Sequence, residues 1–219
     1  MARLARAVFP GYPHHVTQRG NGRQQTFFEP DDYRLYRRLL AAHCAAAGVA
    51  VWAWAAMPNH VHLILVPRDA DGLRRALAPL HRYYAGHIHA RQRRTGHFWQ
   101  GRFGCVAMDD AHCAAAVRYV LMNPVRAGLA ARAIDWPWSS ARTHFGLEQD
   151  GATDPGPVAR RWPDLAALLE SAEDQEAMHR LRRAETIGRP LGGAEWIEQL
   201  EHQSGRKLQA ARRGPPRRV

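Results

Sequence analysis

The chain has 219 residues, 46% of them hydrophobic, which is enough for one good core with a small appendage and too much for a disordered chain. A formal net charge of +11 and a pI near 10.7 favour a polyanionic partner. Three cysteines, Cys44, Cys105 and Cys113, form no CxxC pair and so argue against a structural zinc site and a disulfide framework, which points to a reducing cytoplasm.

The stretch from Met1 to Pro10 is too poor in apolar residues for a signal peptide. His15–Arg19 reads as a first strand and runs into a polar loop, Gly20-Asn21-Gly22-Arg23-Gln24-Gln25. Pro30-Asp31-Asp32 opens a helix with acids in its first turn. Tyr33, Tyr36, Leu39, Leu40 and Cys44 recur at helical spacing, and Gly48 ends the segment. Val49–Met57 is a second strand, with Trp52 and Trp54 on one face by the period of two. The apolar run Ala41–Met57 has 17 residues, broken by Gly48 and short of the ~20 that span a membrane. Pro58-Asn59 is a tight turn and His60–Val66 a third strand, so the two strands pair as a hairpin. Residues 70–94 form a second helix, marked by Leu73, Leu77, Leu80, Tyr84 and Ile88. Gly96–Gly101 is a loop, Phe103–Met108 a fourth strand, and Asp109-Asp110 caps a third helix running to about Asn123-Pro124. The order β-α-β-β-α-β-α predicts an α+β fold: a ferredoxin-like split βαβ sheet with an added helix.

Trp136-Pro137-Trp138-Ser139-Ser140 reads as a turn packed on the sheet. Residues 147–157, rich in Asp, Gly and Pro, read as a linker. Residues 158–205 form a small acidic helical extension, and residues 206–219 a basic tail expected to be disordered. The net charge is +11 over 1–146, −6 over 147–205 and +6 over 206–219. Phosphate-binding capacity therefore sits in the 1–146 domain, with salt-sensitive contacts added by the tail. The extension carries no part of the chemistry derived below, so its removal is expected to leave the site intact.

On a strand, His60 and His62 share a face about 7 Å apart, while Val61 and Leu63 point into a core. Two such imidazoles can grip one metal ion. On the third helix, Tyr119 and Asn123 are four apart and share a face, with Cβ atoms roughly 5–6 Å apart. Asn123 is expected to end the regular helix, because Pro124 removes a donor. Its amide oxygen is a candidate third ligand for a hard cation, and the Tyr119 phenol beside that cation a candidate nucleophile. A neutral phenol attacks poorly, and a cation stabilises the charge that develops on a phosphate. The product, a phosphotyrosine, keeps the bond energy needed to rejoin a strand.

His60-Val61-His62, with Tyr119-x-x-x-Asn123-Pro124-Val125-Arg126-Ala127-Gly128, resembles the single-tyrosine HUH transposases, and more narrowly the REP-associated tyrosine transposases. His15-Val16-Thr17-Gln18-Arg19-Gly20-Asn21, Met57-Pro58-Asn59, Phe98-Trp99-Gln100-Gly101-Arg102-Phe103 and Trp138-Ser139-Ser140-Ala141 extend the resemblance over about residues 8–146. It implies a Mg²⁺ or Mn²⁺ ion held by His60, His62 and Asn123, with Tyr119 as nucleophile. It also implies cleavage and rejoining of single-stranded DNA beside REP-type hairpins in a cytoplasmic, nucleoid-associated protein. Insertion-sequence relatives carry Gln where this chain has the shorter Asn123. Arg19, Asn21, Arg23 and Gln24 are candidates to read a tetranucleotide at the foot of the hairpin. Phe98 and Trp99 are candidates to stack on unpaired bases, and Arg102 and Arg126 to contact phosphate. Monomer and homodimer both stay open. Two rival readings stand beside this one: a hairpin-binding protein without catalysis, and a two-histidine RNA phosphoesterase built on His15-Val16-Thr17 and His60-Val61-His62.

Overall fold

The structure, a computed structural model, describes residues 7–171 and 175–209. Its first seven elements are β1 (His14–Arg19), α1 (Pro30–Ala47), β2 (Val49–Met57), β3 (His60–Pro67), α2 (Gly72–Gln92), β4 (Gly104–Ala107) and α3 (Asp110–Arg126). The four strands form one antiparallel sheet in the order β2-β3-β1-β4. β1 and β2 thus run the same way with β3 between them, the split βαβ arrangement of a ferredoxin-like α+β fold.

Local chemistry sets the ends of these elements. Glu29 and Asp32 form a reciprocal capping box at the start of α1, and Gly48 closes it at φ 65. Met57 pairs with His60 across the two-residue turn Pro58-Asn59. Alternation along the strands then sorts side chains between two cores. Val16, Trp54, Val61, Leu63 and Leu65 pack under Tyr36 and Leu40 of α1 and Leu73, Leu77 and Leu80 of α2. Ala53, Ala55, Ile64 and Val106 face the other way, against Ala116, Val117, Val120 and Leu121 of α3.

Two sequence expectations need correction here. The register of β2 slips between Val51 and Ala53, so Trp52 is an extra, bulged residue. Trp52 therefore joins the α3 core while Trp54 joins the other, and the two indoles do not share a face. α3, for its part, does not stop at Asn123 but continues through Pro124 to Arg126. Proline sacrifices only its own donor, and the last turn recovers its bonds: Ala127 N–H donates to Asn123 O, Gly128 N–H to Val125 O and Leu129 N–H to Pro124 O, at 2.9–3.0 Å.

The chain beyond α3 wraps both edges of the sheet. Along β2, Ala56 N–H donates to Trp138 O, Ser140 N–H to Trp54 O and Asp154 N–H to Val51 O, at 2.8–2.9 Å. The stretch read as a linker is pinned to this edge. Buried Asp150 accepts from Trp54 Nε1 at 2.8 Å and from the backbone N–H groups of Ala152 and Thr153 at 2.9 and 2.8 Å. Along β4, Leu191 N–H donates to Ala107 O and Asp109 N–H to Leu191 O, at 2.8 and 3.1 Å. These bonds cover part of each edge of an otherwise open sheet.

α4 (Ala141–His144) and α5 (Gly156–Arg161) follow, then α6 (Leu165–Glu170), α7 (Gln175–Ile187) and α8 (Ala194–Ser204). Val158, Leu165, Leu169, Leu181 and Ala184 are buried in the same core as α3, and α6 and α7 pack on α3 directly. The extension therefore packs on the helix that carries Tyr119, a contact that the expectation of an intact site after its removal did not include. The first residues of the basic tail are held too: Glu201 accepts from the N–H groups of Leu208 and Gln209 at 2.6 and 2.9 Å, and Leu208 is buried. The rest of that tail, from residue 210, lies outside the described residues. No helix among the described residues is long and apolar enough to cross a membrane.

Candidate functional site

The α3 face of the sheet holds the expected histidines. β3 alternation turns His60 and His62 to the side opposite Val61 and Leu63. Their rings meet edge to face, with centroids 4.8 Å apart. Tyr119 comes down from α3 onto the same place: its ring lies 5.1 Å from that of His62, edge to face, and 7% of the residue is exposed. The Arg126 guanidinium, a little under two turns further along α3, sits over the Tyr119 ring at 5.1 Å, a favourable cation–π placement. Asn123 lies between them on the buried face of α3. The histidines and Tyr119 are thus in ring contact within one chain, and Asn123 is one helical turn beyond.

A chain of bonds orients His60. Asn59 Nδ2 donates to Arg23 O at 3.0 Å, which turns Oδ1 of the same amide toward His60 Nδ1, 2.6 Å away. An amide oxygen only accepts, so His60 carries its proton on Nδ1 and its lone pair on Nε2. Arg19 stands opposite His60 in the β1–β3 register, with NH1 3.4 Å from Nδ1. It is a second donor facing a nitrogen that is already protonated, so this is a charge contact rather than the orienting bond. Burial, and then the Arg19 charge, lower the His60 pKa to about 3. His60 is therefore neutral at physiological pH, as a metal ligand must be.

Among the described residues no group of three or more His, Cys, Asp or Glu side chains could hold a metal ion. A cation here would rest on the His60 and His62 imidazoles and on oxygens: the Asn123 amide, water and a substrate phosphate. Such a sparse, mixed donor set suits an ion that keeps much of its water, Mg²⁺ or Mn²⁺, better than the closed tetrahedral ligation of structural zinc.

The expected nucleic-acid residues separate into two groups. The loop after β1 is tied beside the histidine edge: Gly20 N–H donates to Asn59 O, and Asn21 N–H to Phe98 O, both at 2.9 Å. Gln24 Nε2 donates to Phe98 O at 3.0 Å. Asn21, Arg23, Arg102 and Arg126 are exposed and Arg19 and Gln24 half-buried. Arg23 holds a left-handed backbone, φ 61, a conformation that costs a non-glycine residue energy and is common where loops are shaped for contact. A cleft opens next to this loop, lined by Gln24, Gln25, Gln92, Arg94 and His97 among others. Phe98 and Trp99 belong to the core instead. Phe98 is 5% exposed, wedged against Tyr84 and Trp99. Trp99 is half-buried and donates Nε1–H to His81 O at 2.9 Å. Phe98 thus anchors the loop in the core, while Trp99 packs against that core with part of its surface exposed.

Sequence reasoning missed two residues. Asn59 reads as a turn residue and turns out to orient His60. His15 reads as part of the start of a strand, yet its ring is fully buried against His62 and Tyr119, at 5.2 and 6.0 Å. The signal available for it was alternation: His15, Thr17 and Arg19 put three polar groups on the face that β3 uses for His60 and His62.

A family model described as "Transposase IS200 like" matches residues 9–123, a span that includes both histidines, Tyr119 and Asn123. No curated protein matches the chain. A solved structure described as a REP-associated tyrosine transposase bound to a REP hairpin is similar in fold. It shares 24% identity and a TM-score of 0.57, and the match covers 71% of this chain and 93% of that one.

Proposed function

The chain belongs to the IS200-like transposase family, and from that premise we propose that it cleaves and rejoins single-stranded DNA beside REP-type hairpins through a covalent link to Tyr119. The observation that carries this reading is the ring contact of Tyr119 with His62, itself in contact with His60, inside one chain. A complete constellation in cis supports action by a single protomer. The hairpin substrate is taken from the ligand of the structural neighbour and from the exposed basic loop beside the histidines.

His60, His62 and Asn123 would hold a divalent cation, which would supply charge stabilisation at the scissile phosphate. Tyr119 Oη forms the new bond to phosphorus as the P–O3′ bond breaks. The phenolic proton leaves to solvent, and the departing 3′ oxygen takes one up. The 5′ phosphate stays on Tyr119, and attack by a 3′ hydroxyl reverses the step and rejoins the strand. Arg126, over the ring, holds a positive charge where the phosphate must approach. The half-buried Arg19 and the exposed Asn21 and Arg23 line the approach from the other side, with Gln24 at the mouth of the adjoining cleft.

The phosphoesterase reading needs His15 to touch substrate, and His15 is fully buried. A labelled oligonucleotide carrying a hairpin, incubated with Mg²⁺ or Mn²⁺, should give a protein–DNA adduct that resists denaturant. Tyr119→Phe should bind the hairpin and form none. Cleavage retained by Tyr119→Phe excludes the tyrosine mechanism, and binding without any adduct in the wild type leaves a hairpin-binding protein.

A further inference from the structure

Three imidazoles line this face of the sheet, and the third does not belong to the ligand pair. The β1–β3 register sets Thr17 opposite His62 and His15 opposite Ile64, so His15 and His62 are diagonal neighbours on adjacent strands. Their rings are nearly parallel, at 6°, and His15 Nε2 lies 3.1 Å from His62 Nδ1. Both residues are buried, with 0% and 2% exposure. Three histidines so close do not converge as a metal-binding group, so His15 meets the site through the His62 and Tyr119 rings.

Two neutral imidazoles at this separation share one proton: one nitrogen donates and the other accepts. The choice sets where His62 keeps its lone pair. If His62 Nδ1–H donates to His15 Nε2, the His62 lone pair is on Nε2. If His15 Nε2–H donates instead, the His62 proton is on Nε2, which then cannot bind a cation. His60 shows which choice the site is built for. Its Nδ1–H is committed to Asn59 Oδ1, which puts its lone pair on Nε2. With His62 Nδ1 against His15, Nε2 is the nitrogen left to a cation, and its lone pair requires the Nδ1–H tautomer of His62.

We propose that His15 is a positioning residue that accepts the His62 Nδ1 proton and so holds His62 in its metal-binding tautomer, as Asn59 does for His60. The proposal rests on the reading of His60 and His62 as ligands. Tyr119 completes the arrangement by standing edge-on to both rings, at 82° and 87°, which keeps the hydrogen-bonded pair from rotating.

The test uses the full-length protein and two measurements. The first is the histidine tautomer, read in the metal-free protein from two-bond nitrogen–proton correlations of the ring. His62 is expected as the Nδ1–H form, and an Nε2–H form overturns the proposal. The second is Mn²⁺ affinity, measured by electron paramagnetic resonance. His15→Leu removes the acceptor and should weaken Mn²⁺ binding about 10–100-fold, the usual effect of losing a partner behind a ligating histidine. His15→Gln places an amide oxygen where Nε2 was and should restore binding to near the wild-type value. Unchanged affinity in folded His15→Leu, or equal loss in both variants, overturns the acceptor role. Should His15→Leu fail to fold, the tautomer measurement on the wild type still decides. Wild-type protein that binds no Mn²⁺ overturns the ligand reading of His60 and His62 instead, and the tautomer result then stands on its own.

Discussion

Removal of residues 158–219 tests whether the acidic extension is an appendage or a support. Val158, Leu165, Leu169 and Leu181 are buried in the core that α3 shares. Fully burying an aliphatic side chain is worth about 1.5–3 kcal/mol, so four amount to roughly 6–12 kcal/mol across the interface. The extension's own ordering cost disappears with it. The loss felt by the remainder is therefore the partner surface on α3 and β4, about half of that total. A loss of about 3–6 kcal/mol lowers the melting temperature of a domain this size by roughly 6–24 °C, and it is a large share of the 5–15 kcal/mol that holds most domains together. Circular dichroism melts of the full chain and of residues 1–157, at equal concentration, measure it. Near-ultraviolet spectra report whether the Trp52 environment, under Arg161 in the full chain at 4.6 Å, is lost. The truncated protein should melt early and form the Tyr119 adduct poorly, because α3 is no longer held against β3. Melting within about 3 °C of the full chain, less than 1–2 kcal/mol, would refute the argument that the extension supports α3.

Three further outcomes follow from the same geometry. Asn123→Ala should weaken Mn²⁺ binding about 10–100-fold, the loss of one charge-assisted contact of about 1.5–3 kcal/mol; unchanged affinity by titration removes Asn123 from the ligand set. Phe98→Ala should destabilise by about 3–5 kcal/mol, as for a core aromatic; a stable variant that instead loses single-stranded DNA affinity would restore the base-stacking role. Acid should begin to destabilise the fold near pH 6.5, above the range in which carboxylates titrate. Burial lowers the His14 pKa from 6.5 to about 4, where Nδ1 engages Tyr12 O and Nε2 accepts from Phe9 N–H. Because the folded pKa is the lower one, the unfolded chain takes up the proton first, and stability falls as pH drops from about 6.5 to about 4, on the order of 3 kcal/mol for His14. His60 and His144 are lowered in the same direction. Urea midpoints that stay flat between pH 7 and pH 4.5 contradict this.

What the sequence reveals about this molecule follows from the range of the interaction behind each feature. The histidine pair, the hairpin at Pro58-Asn59 and the Tyr119–Asn123 spacing are set within a few residues, and all three read directly from the chain. The Trp52 bulge does not, because Val49–Met57 is apolar throughout and a strand buried on both faces has no alternation to break. Phe98 and Trp99 sit in a loop rich in glycine and polar residues. Only their contacts with Tyr84 and His81, on a helix that precedes them, make them core. Net charge misleads over the extension: nine acids against six arginines in residues 158–205 make it acidic, while Val158, Leu165, Leu169 and Leu181 describe what it does to α3.

The same logic explains why the second layer of the site is harder to read than the first. A ligand is recognised by its own chemistry, whereas the group that orients it is recognised only by position. Asn59 reaches His60 from the adjacent residue, and even so its role depends on Arg23 O, 36 positions away, fixing which end of the amide faces the ring. His15 reaches His62 across 47 positions, through a register that the hydrophobic pattern of β1 and β3 determines jointly. A one-residue slip of that register would move His15 to the opposite face. The imidazole beside His62 is thus a consequence of the strand pairing, and the core side chains that set the pairing, Val16 against Val61 and Leu63, also determine which nitrogen of His62 meets His15.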